Sequence, residues 1–200
     1  KGEERGRINV LLLGMGGQGH NGGKLTDTII LASIKPKTNK AALISIPRDI
    51  TLPVAGRGWR KINSINAYAE YNGEDGGVAL SQSLSDVLDI PIDYYVKADF
   101  QGFVDVIDEL GGVEVNVENT LNDYKYPIRG REAAEDYDSR YEHLYIEEGE
   151  QEMDGKLALK YARSRHAQGE QGSDFARARR QQKIIQAAKR KFKDTNMILK

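Results

Sequence analysis

Apolar residues run almost unbroken through Ile8-Asn-Val-Leu-Leu-Leu-Gly14, the pattern of a short strand buried on both faces. A second apolar run, Asp27 to Ile34, is joined by the polar turn KPKTNK to a third, Ala41 to Ile46, and the two read as an antiparallel pair. Pro47 has no N–H to offer a ladder, so it ends the third strand and releases Arg48 and Asp49 at its edge. Hairpin geometry then sets Asp27, at the opening end of one strand, beside Arg48, at the closing end of its partner. TLPVAGRGW reads as an irregular connection. Lys61 to Glu70 begins a helix that stops at Asn72-Gly73. Gly77 to Asp89 is a second, amphipathic one with Val78, Leu80, Leu84, Val87 and Leu88 as its apolar set.

Beyond Pro91, Ile92 to Lys97 alternates as a strand, and Phe100 to Leu110 is helical with Phe103, Val104, Ile107 and Leu110 on one side. Gly111-Gly112 stops that helix before another strand, Val113 to Val117. Strand, helix and strand with short connections predict a crossover unit, hence a mixed sheet with helices packed on it. Asn119 to Glu150 is the least regular part, acidic and tyrosine-rich, and reads as a flap over the sheet edge. Ile146 to Asp154 leads into a helix over Lys156 to Tyr161, and Gln181 to Phe192 continues as a basic amphipathic helix.

At 200 residues with 39% hydrophobic and 30% charged positions, the chain suits one sizeable folded domain, expected to span 1–200. The net charge of -1 hides an uneven distribution. Asp99 to Asp154 holds 17 acidic and 4 basic residues, whereas Lys156 to Lys193 holds 12 basic and 2 acidic. That imbalance points to a local anion site rather than to nucleic acid. The basic helix Lys183 to Lys193 has Phe192 as its one aromatic, and no nucleic-acid motif is present. With no cysteine, disulfides and thiolate chemistry are excluded. No apolar run approaches the length of a membrane span.

The basic residues concentrate in YARSRHAQGEQGSDFARARRQQ, Tyr161 to Gln182. Arg163 and Arg165, two apart, leave an extended segment on one face. Arg177, Arg180 and Gln181 share a helix face. A polar loop, His166 to Ser173, lies between them, so the two arginine groups are placed to grip one polyanion. Planar guanidinium groups match phosphate oxygens bidentately. Asp174, just before the helix, caps it or holds an arginine. The plainer alternative is a solvated face with scattered ion pairs, but such a face mixes signs and favours Lys and Glu.

Gly14 to Lys24, GMGGQGHNGGK, is glycine-dense and allows close backbone approach to a ligand. A strand rather than a helix follows, which removes the dinucleotide-binding reading, and no GK[ST] is present for a P-loop. A phosphate-facing lid and a plain hairpin loop both remain open.

LLLG, TDTIILASI, SIPRD, KIN, IPIDYYVK, the run from Phe103 to Val113 and YARSRHAQGEQGSDFARARRQQ occur in this order. Together they resemble the LytR-CpsA-Psr family of bacterial cell-envelope proteins, over Ile8 to about Lys191. The resemblance implies an α/β domain, a three-layer α-β-α sandwich with a mixed central sheet. It implies a place on the outer side of the cytoplasmic membrane, with single-pass anchoring by an N-terminal helix outside this sequence. Family members transfer a glycopolymer from a polyprenyl-pyrophosphate carrier to peptidoglycan through a phosphodiester, with a divalent cation, usually Mg2+, at the pyrophosphate.

By that resemblance Asp27 is the metal-ligating aspartate, and Arg48 of SIPRD contacts phosphate. Arg163 and Arg165 are the first arginine pair, and Arg177 and Gln181 the grip after the loop. Asp174 orients an arginine, while Lys61 and Asn63 of KIN stand near the site. Asp49 is expected to be structural, bonding turn amides after Pro47. The family commonly has a further aspartate after the first strand and an arginine just before the aspartate motif. Here the glycine loop fills that region and Leu25 precedes Thr26-Asp27, leaving His20 as a substitute ligand and Lys24 as a substitute charge. Two other readings use the same residues: a pyrophosphatase with water as acceptor, and a non-catalytic module that binds a lipid-linked glycan.

Overall fold

The structure, a computed structural model, describes residues 2 and 4–194, so both ends of the span expected as one domain lie outside it. It divides into two units, Lys1–Phe100 and Gln101–Lys200.

The first unit is built on β1 (Ile8–Met15), β2 (Thr26–Lys35), β3 (Lys40–Ser45), β4 (Thr51–Val54), β5 (Gly58–Lys61), α1 (Ile62–Tyr71), α2 (Gly76–Leu88) and β6 (Tyr94–Ala98). A four-stranded sheet has the order β3-β2-β1-β6, with β1 antiparallel to β2 and parallel to β6. The mixed sheet is therefore present. Burial corrects one expectation: β1 alternates, with Asn9, Leu11 and Leu13 buried and their neighbours half-buried, whereas β2 buries Ile29 to Ala32 consecutively. It is β2 that is covered on both faces.

Leu11, Leu13 and Ile29 pack with Leu52, Ile62, Ile65, Leu80 and Leu84 into one apolar cluster. Each such side chain contributes about 1.5–3 kcal/mol by leaving water. Of the apolar set expected on α2, only Leu80 and Leu84 are buried, and Val78, Val87 and Leu88 are exposed. The stripe that α2 buries is narrower than its apolar content. TLPVAGRGW is not irregular, since β4 and β5 pair antiparallel across it. Pro53 is tolerated there because a two-stranded ribbon leaves one side of each strand without ladder partners.

The second unit contains α3 (Phe100–Glu109), β7 (Val113–Val117), β8 (Leu121–Pro127), β9 (Tyr141–Ile146), β10 (Gly149–Met153), α4 (Gly155–Arg163) and α5 (Asp174–Asp194). Among the described residues, each strand of the predicted crossover has its partner within its own unit. The parallel pair is β1 with β6, and β7 pairs antiparallel with β10. The alternation of buried Val113, Val115 and Val117 with exposed Glu114 and Asn116 suits a one-sided antiparallel pair rather than a doubly covered parallel strand. Asn119 to Glu150 is likewise no flap: β8 and β9 form an antiparallel hairpin that sends Leu121, Tyr126, Leu144 and Ile146 into the core.

Asp154 caps α4 by accepting from the Leu157 amide at 2.7 Å, and Asp108 of α3 accepts from the Gly155 amide at 2.7 Å. A Cβ on Gly155 would stand 2.3 Å from the Val104 carbonyl oxygen, backbone against backbone. Gly155→Ala is therefore expected to destabilise by about 1–3 kcal/mol, read as a lower urea midpoint with unchanged slope.

Candidate functional site

In the first unit, register places the predicted pair together. β2 opens at Thr26 and β3 closes at Ser45, and the Arg48 guanidinium reaches Oδ1 of Asp27 at 2.7 Å. Asn63, near the start of α1, donates to the same oxygen at 3.4 Å. Thr26, fully buried, donates to the Asn63 carbonyl at 3.3 Å and ties β2 to α1. Asp27 remains 44% exposed, so its carboxylate faces solvent while Oδ1 is engaged. Arg48 is mostly covered, and its Nε is buried without a hydrogen-bond partner among the described residues, 3.6 Å from Asp49 Oδ2. A buried guanidinium N–H with spare capacity is the group an anion satisfies.

Asp49 was expected to bond turn amides. It instead pairs with Arg48 and, at 3.4 Å, with Lys61 Nζ, because its side chain points to solvent and to the neighbouring cations. Lys61 stands at the start of α1 and meets Asp49 rather than Asp27.

The glycine loop closes on itself. Gly17 N–H donates to the Gly23 carbonyl at 2.9 Å, Gly23 N–H to the His20 carbonyl at 2.9 Å, and Leu25 N–H to the Gly22 carbonyl at 2.8 Å. A Cβ at position 23 would lie 2.1 Å from the Gly17 oxygen, so this closure requires glycine there. The His20 ring stands edge-on to Phe100 at 5.3 Å. No group of three or more His, Cys, Asp or Glu side chains converges as a metal-ligand set among the described residues, so His20 belongs to none.

Lys24 is drawn to Glu70 at 3.3 Å, where Lys97 also pairs at 2.8 Å. The Lys97 hydrogen bond, first, and the Lys24 charge hold the Glu70 carboxyl below the usual range against the opposing effect of burial. A depressed acid stabilises the fold above its unfolded pKa of about 4.3, and that contribution is lost as pH falls through the folded value. Glu70→Gln is expected to lower stability by about 1 kcal/mol at pH 7. The gap from wild type should close below about pH 4, read from melting temperatures at the two pH values.

In the second unit, the arginine loop is held by a group the sequence reading did not assign. Ala176, Arg180, Ile184 and Ala187 form the buried stripe of α5, with an arginine at an otherwise apolar position. Arg180 Nε donates to the Tyr161 carbonyl at 2.8 Å, Nη1 to Gln171 at 2.8 Å and Nη2 to Ser164 at 2.5 Å. It is a staple, not a free member of the face expected with Arg177 and Gln181. Asp123 of β8, fully buried, works from the other side. It accepts from Ser164 Oγ at 2.6 Å and from the His166 amide at 3.2 Å.

On that frame Asp174 holds two arginines, Arg177 at 2.9 Å and Arg165 at 3.5 Å. It does not cap α5. Ser173 does, with Oγ accepting from the Ala176 amide at 3.1 Å. Arg163 is the last residue of α4 rather than part of an extended segment, and Ser164 turns the chain out of the helix (φ -50, ψ 134). Arg163 donates to the Tyr126 hydroxyl at 3.3 Å and lies 5.7 Å from the centre of its ring. Burial raises the Tyr126 pKa, with the Arg163 charge opposing, so the phenol keeps its proton. Gln181 donates to the Ala162 carbonyl at 3.4 Å, bracing the end of α4. Two guanidinium groups thus meet at one carboxylate.

Known proteins share this chain's features. The teichoic acid transferase TagT of Bacillus subtilis (strain 168), named for polyisoprenyl-teichoic acid and peptidoglycan, is 32% identical over 198 residues, 96% of this chain and 54% of TagT. TagV of the same organism, with the same functional name, is 34% identical over 181 residues, 90% of this chain and 42% of TagV. The chain thus spans about half the length of the curated relatives it matches. A solved structure described as the LytR-CPS2A-psr family protein YwtF (TagT) with bound octaprenyl pyrophosphate lipid superposes with a TM-score of 0.65 at 28% identity. The match covers 94% of this chain and 66% of that one. The sequence model of the LytR_cpsA_psr family matches residues 1–200, and the chain belongs to that family.

Proposed function

We propose that this chain is the catalytic part of a phosphotransferase that moves a glycopolymer from a polyprenyl-pyrophosphate carrier to peptidoglycan. A hydroxyl oxygen of the acceptor bonds to the phosphorus that carries the glycan. The bond from that phosphorus to the bridging oxygen breaks, and polyprenyl phosphate and a proton are released. Negative charge grows on the bridging and departing oxygens, so preorganised cations and positioning supply the catalysis. The observation that carries this reading is the sharing of Asp174 by Arg165 and Arg177, which brings two guanidinium groups together at one end of the loop. Arg163 adds a third guanidinium from the end of α4. The first unit, taken by itself, offers the buried Nε of Arg48 to a phosphate oxygen, with Lys61 beside it through Asp49. The names of the relatives and the pyrophosphate lipid bound to TagT support the same substrate class.

A Mg2+ ion would be held here through one carboxylate only. The half-exposed Asp27 would hold it, and phosphate oxygens and water would complete the shell, as this ion prefers. When bound, the cation offsets charge on the pyrophosphate. Asp27 itself is held through Oδ1 by Arg48 and Asn63. The enzyme acts outside the cytoplasmic membrane, tethered by a helix beyond this sequence. No helix among the described residues is long and apolar enough to cross one.

The test is incubation of the protein with a synthetic polyprenyl-pyrophosphate glycan and a peptidoglycan fragment, with and without Mg2+, read by mass spectrometry. A glycan-phosphate joined to the fragment is expected. Free glycan phosphate would instead indicate a pyrophosphatase, and carrier that binds without reacting a binding module. Asp27→Asn is expected to lower the Mg2+-stimulated rate by about 10²–10³-fold and to abolish the response to added Mg2+. An undiminished Mg2+ response in that variant would remove Asp27 from the metal site.

A further inference from the structure

The β8–β9 hairpin carries an aromatic face that the chemistry above does not use. Along β9, Leu144 and Ile146 point into the core, so Tyr141, His143 and Tyr145 stand on the outward side. Tyr124 of β8 lies flat on His143, ring centres 4.2 Å apart and planes 3° from parallel. His143 meets Tyr145 at 6.2 Å, and Tyr137 meets Tyr141 at 5.2 Å. Tyr124, Tyr137 and Tyr145 are each more than half exposed. Amides border the rings: Asn122 Oδ1 is 2.7 Å from His143 Nε2, and Asn122 Nδ2 donates to Gln168 Oε1 at 3.2 Å.

We infer that this row is the binding surface for the acceptor, an uncharged acetamido-sugar strand of peptidoglycan. The inference rests on the transferase reading above. Exposed aromatic rings gathered on one hairpin mark an interaction surface rather than a solubilising one. Rings fixed by stacking and bordered by amides suit a flat ligand with a C–H face and a polar rim, which is a sugar ring. A polyanionic glycan would call for several guanidinium groups; Arg140 stands 5.4 Å from the centre of the Tyr137 ring, whereas Arg163, Arg165 and Arg177 are gathered at the arginine loop. The row is continuous with that loop. Gln168, between Arg165 and Asp174, donates its backbone N–H to the backbone carbonyl of Asn122 at 2.9 Å, and Asp123 bonds Ser164 and His166. An acceptor lying on the rings would therefore run toward the phosphate-binding arginines of the same unit.

The test is co-sedimentation of the protein with purified peptidoglycan sacculi stripped of teichoic acid. Tyr124→Ala/Tyr145→Ala is expected to bind sacculi at least about tenfold more weakly, with unchanged melting temperature and unchanged binding of the polyprenyl-pyrophosphate glycan. Tyr124→Phe/Tyr145→Phe, which keeps the rings, should bind nearly as wild type. Equal retention of the alanine variant and the wild type would overturn the proposal. So would a loss confined to vesicles of anionic phospholipid, which would make the row a membrane contact. Arg163→Ala, by contrast, should lose carrier and keep sacculi, so a failure of the transferase reading and a failure of the acceptor surface give different patterns.

Discussion

Arg180→Ala will destabilise the second unit by about 3–5 kcal/mol, the largest stability effect expected of any single substitution here. The guanidinium is almost wholly buried and donates to the carbonyls of Tyr161, Ser164 and Gln171. Alanine leaves all three without their partner, and each buried orphan costs about 1–3 kcal/mol, partly relieved where water enters. Burial pushes the pKa of the group down, with Arg177 adding to that and Tyr161 and Asp123 opposing it; an arginine keeps its charge regardless. Lysine will not rescue, because its compact ammonium does not span three acceptors that a planar fork reaches in different directions. A drop in melting temperature of roughly 10 °C is the readout. Earlier hydrogen exchange at 164–173 would trace it to the loop. A drop of only a degree or two would mean that the three carbonyls find other partners and that the staple is dispensable.

An activity effect as large as that of Asp27 belongs to Arg163 and Arg177. Either one replaced by alanine is expected to lower kcat/KM with the lipid-linked donor by about 10²–10³-fold while leaving the fold intact. Arg163 ends its helix against Tyr126, whose ring stays in the core without it. Arg177 sits one turn into α5, where alanine is a good helix former and Asp174 keeps Arg165. Lysine at either position should recover part of the loss, since charge returns without the bidentate geometry. Wild-type turnover in both alanine variants would take these residues out of the site.

The strands and helices with a clean period were legible in the sequence. Ile8 to Gly14, the pair flanking KPKTNK, and the helices from Lys61, Gly77 and Phe100 all stand where their apolar spacing put them, give or take a residue. The Asp27–Arg48 contact followed from Pro47 alone, because ending one strand of a hairpin fixes what faces the start of the other. Other parts were hidden for identifiable reasons. Pro53 and two glycines made the β4–β5 ribbon look like a loop, although a two-stranded ribbon accommodates them. In β8 and β9, tyrosines and charges fill the outward positions and dilute the alternation that Leu121, Leu144 and Ile146 carry. At the site, the arginine count was plain, but the division of labour was not. Arg180 and Arg177 differ only in which side of α5 they occupy, and the stripe of Ala176, Ile184 and Ala187 was the available sign that Arg180 turns inward.

The placement of β3 at the rim of its sheet has a further consequence, for self-association. Its residues Ala41, Ala42 and Ile44 are small or aliphatic and exposed, the kind of surface on which strands of two copies tend to meet. Lys35, Lys37 and Lys40 surround the turn that enters it, and Pro47 follows its end. Two copies meeting rim to rim would bring these ammonium groups together, and proline denies the growing ladder its next donor. Charge crowding at the lysine turn is therefore expected to oppose fibrous polymerisation of the concentrated protein, separately from anything done to a substrate.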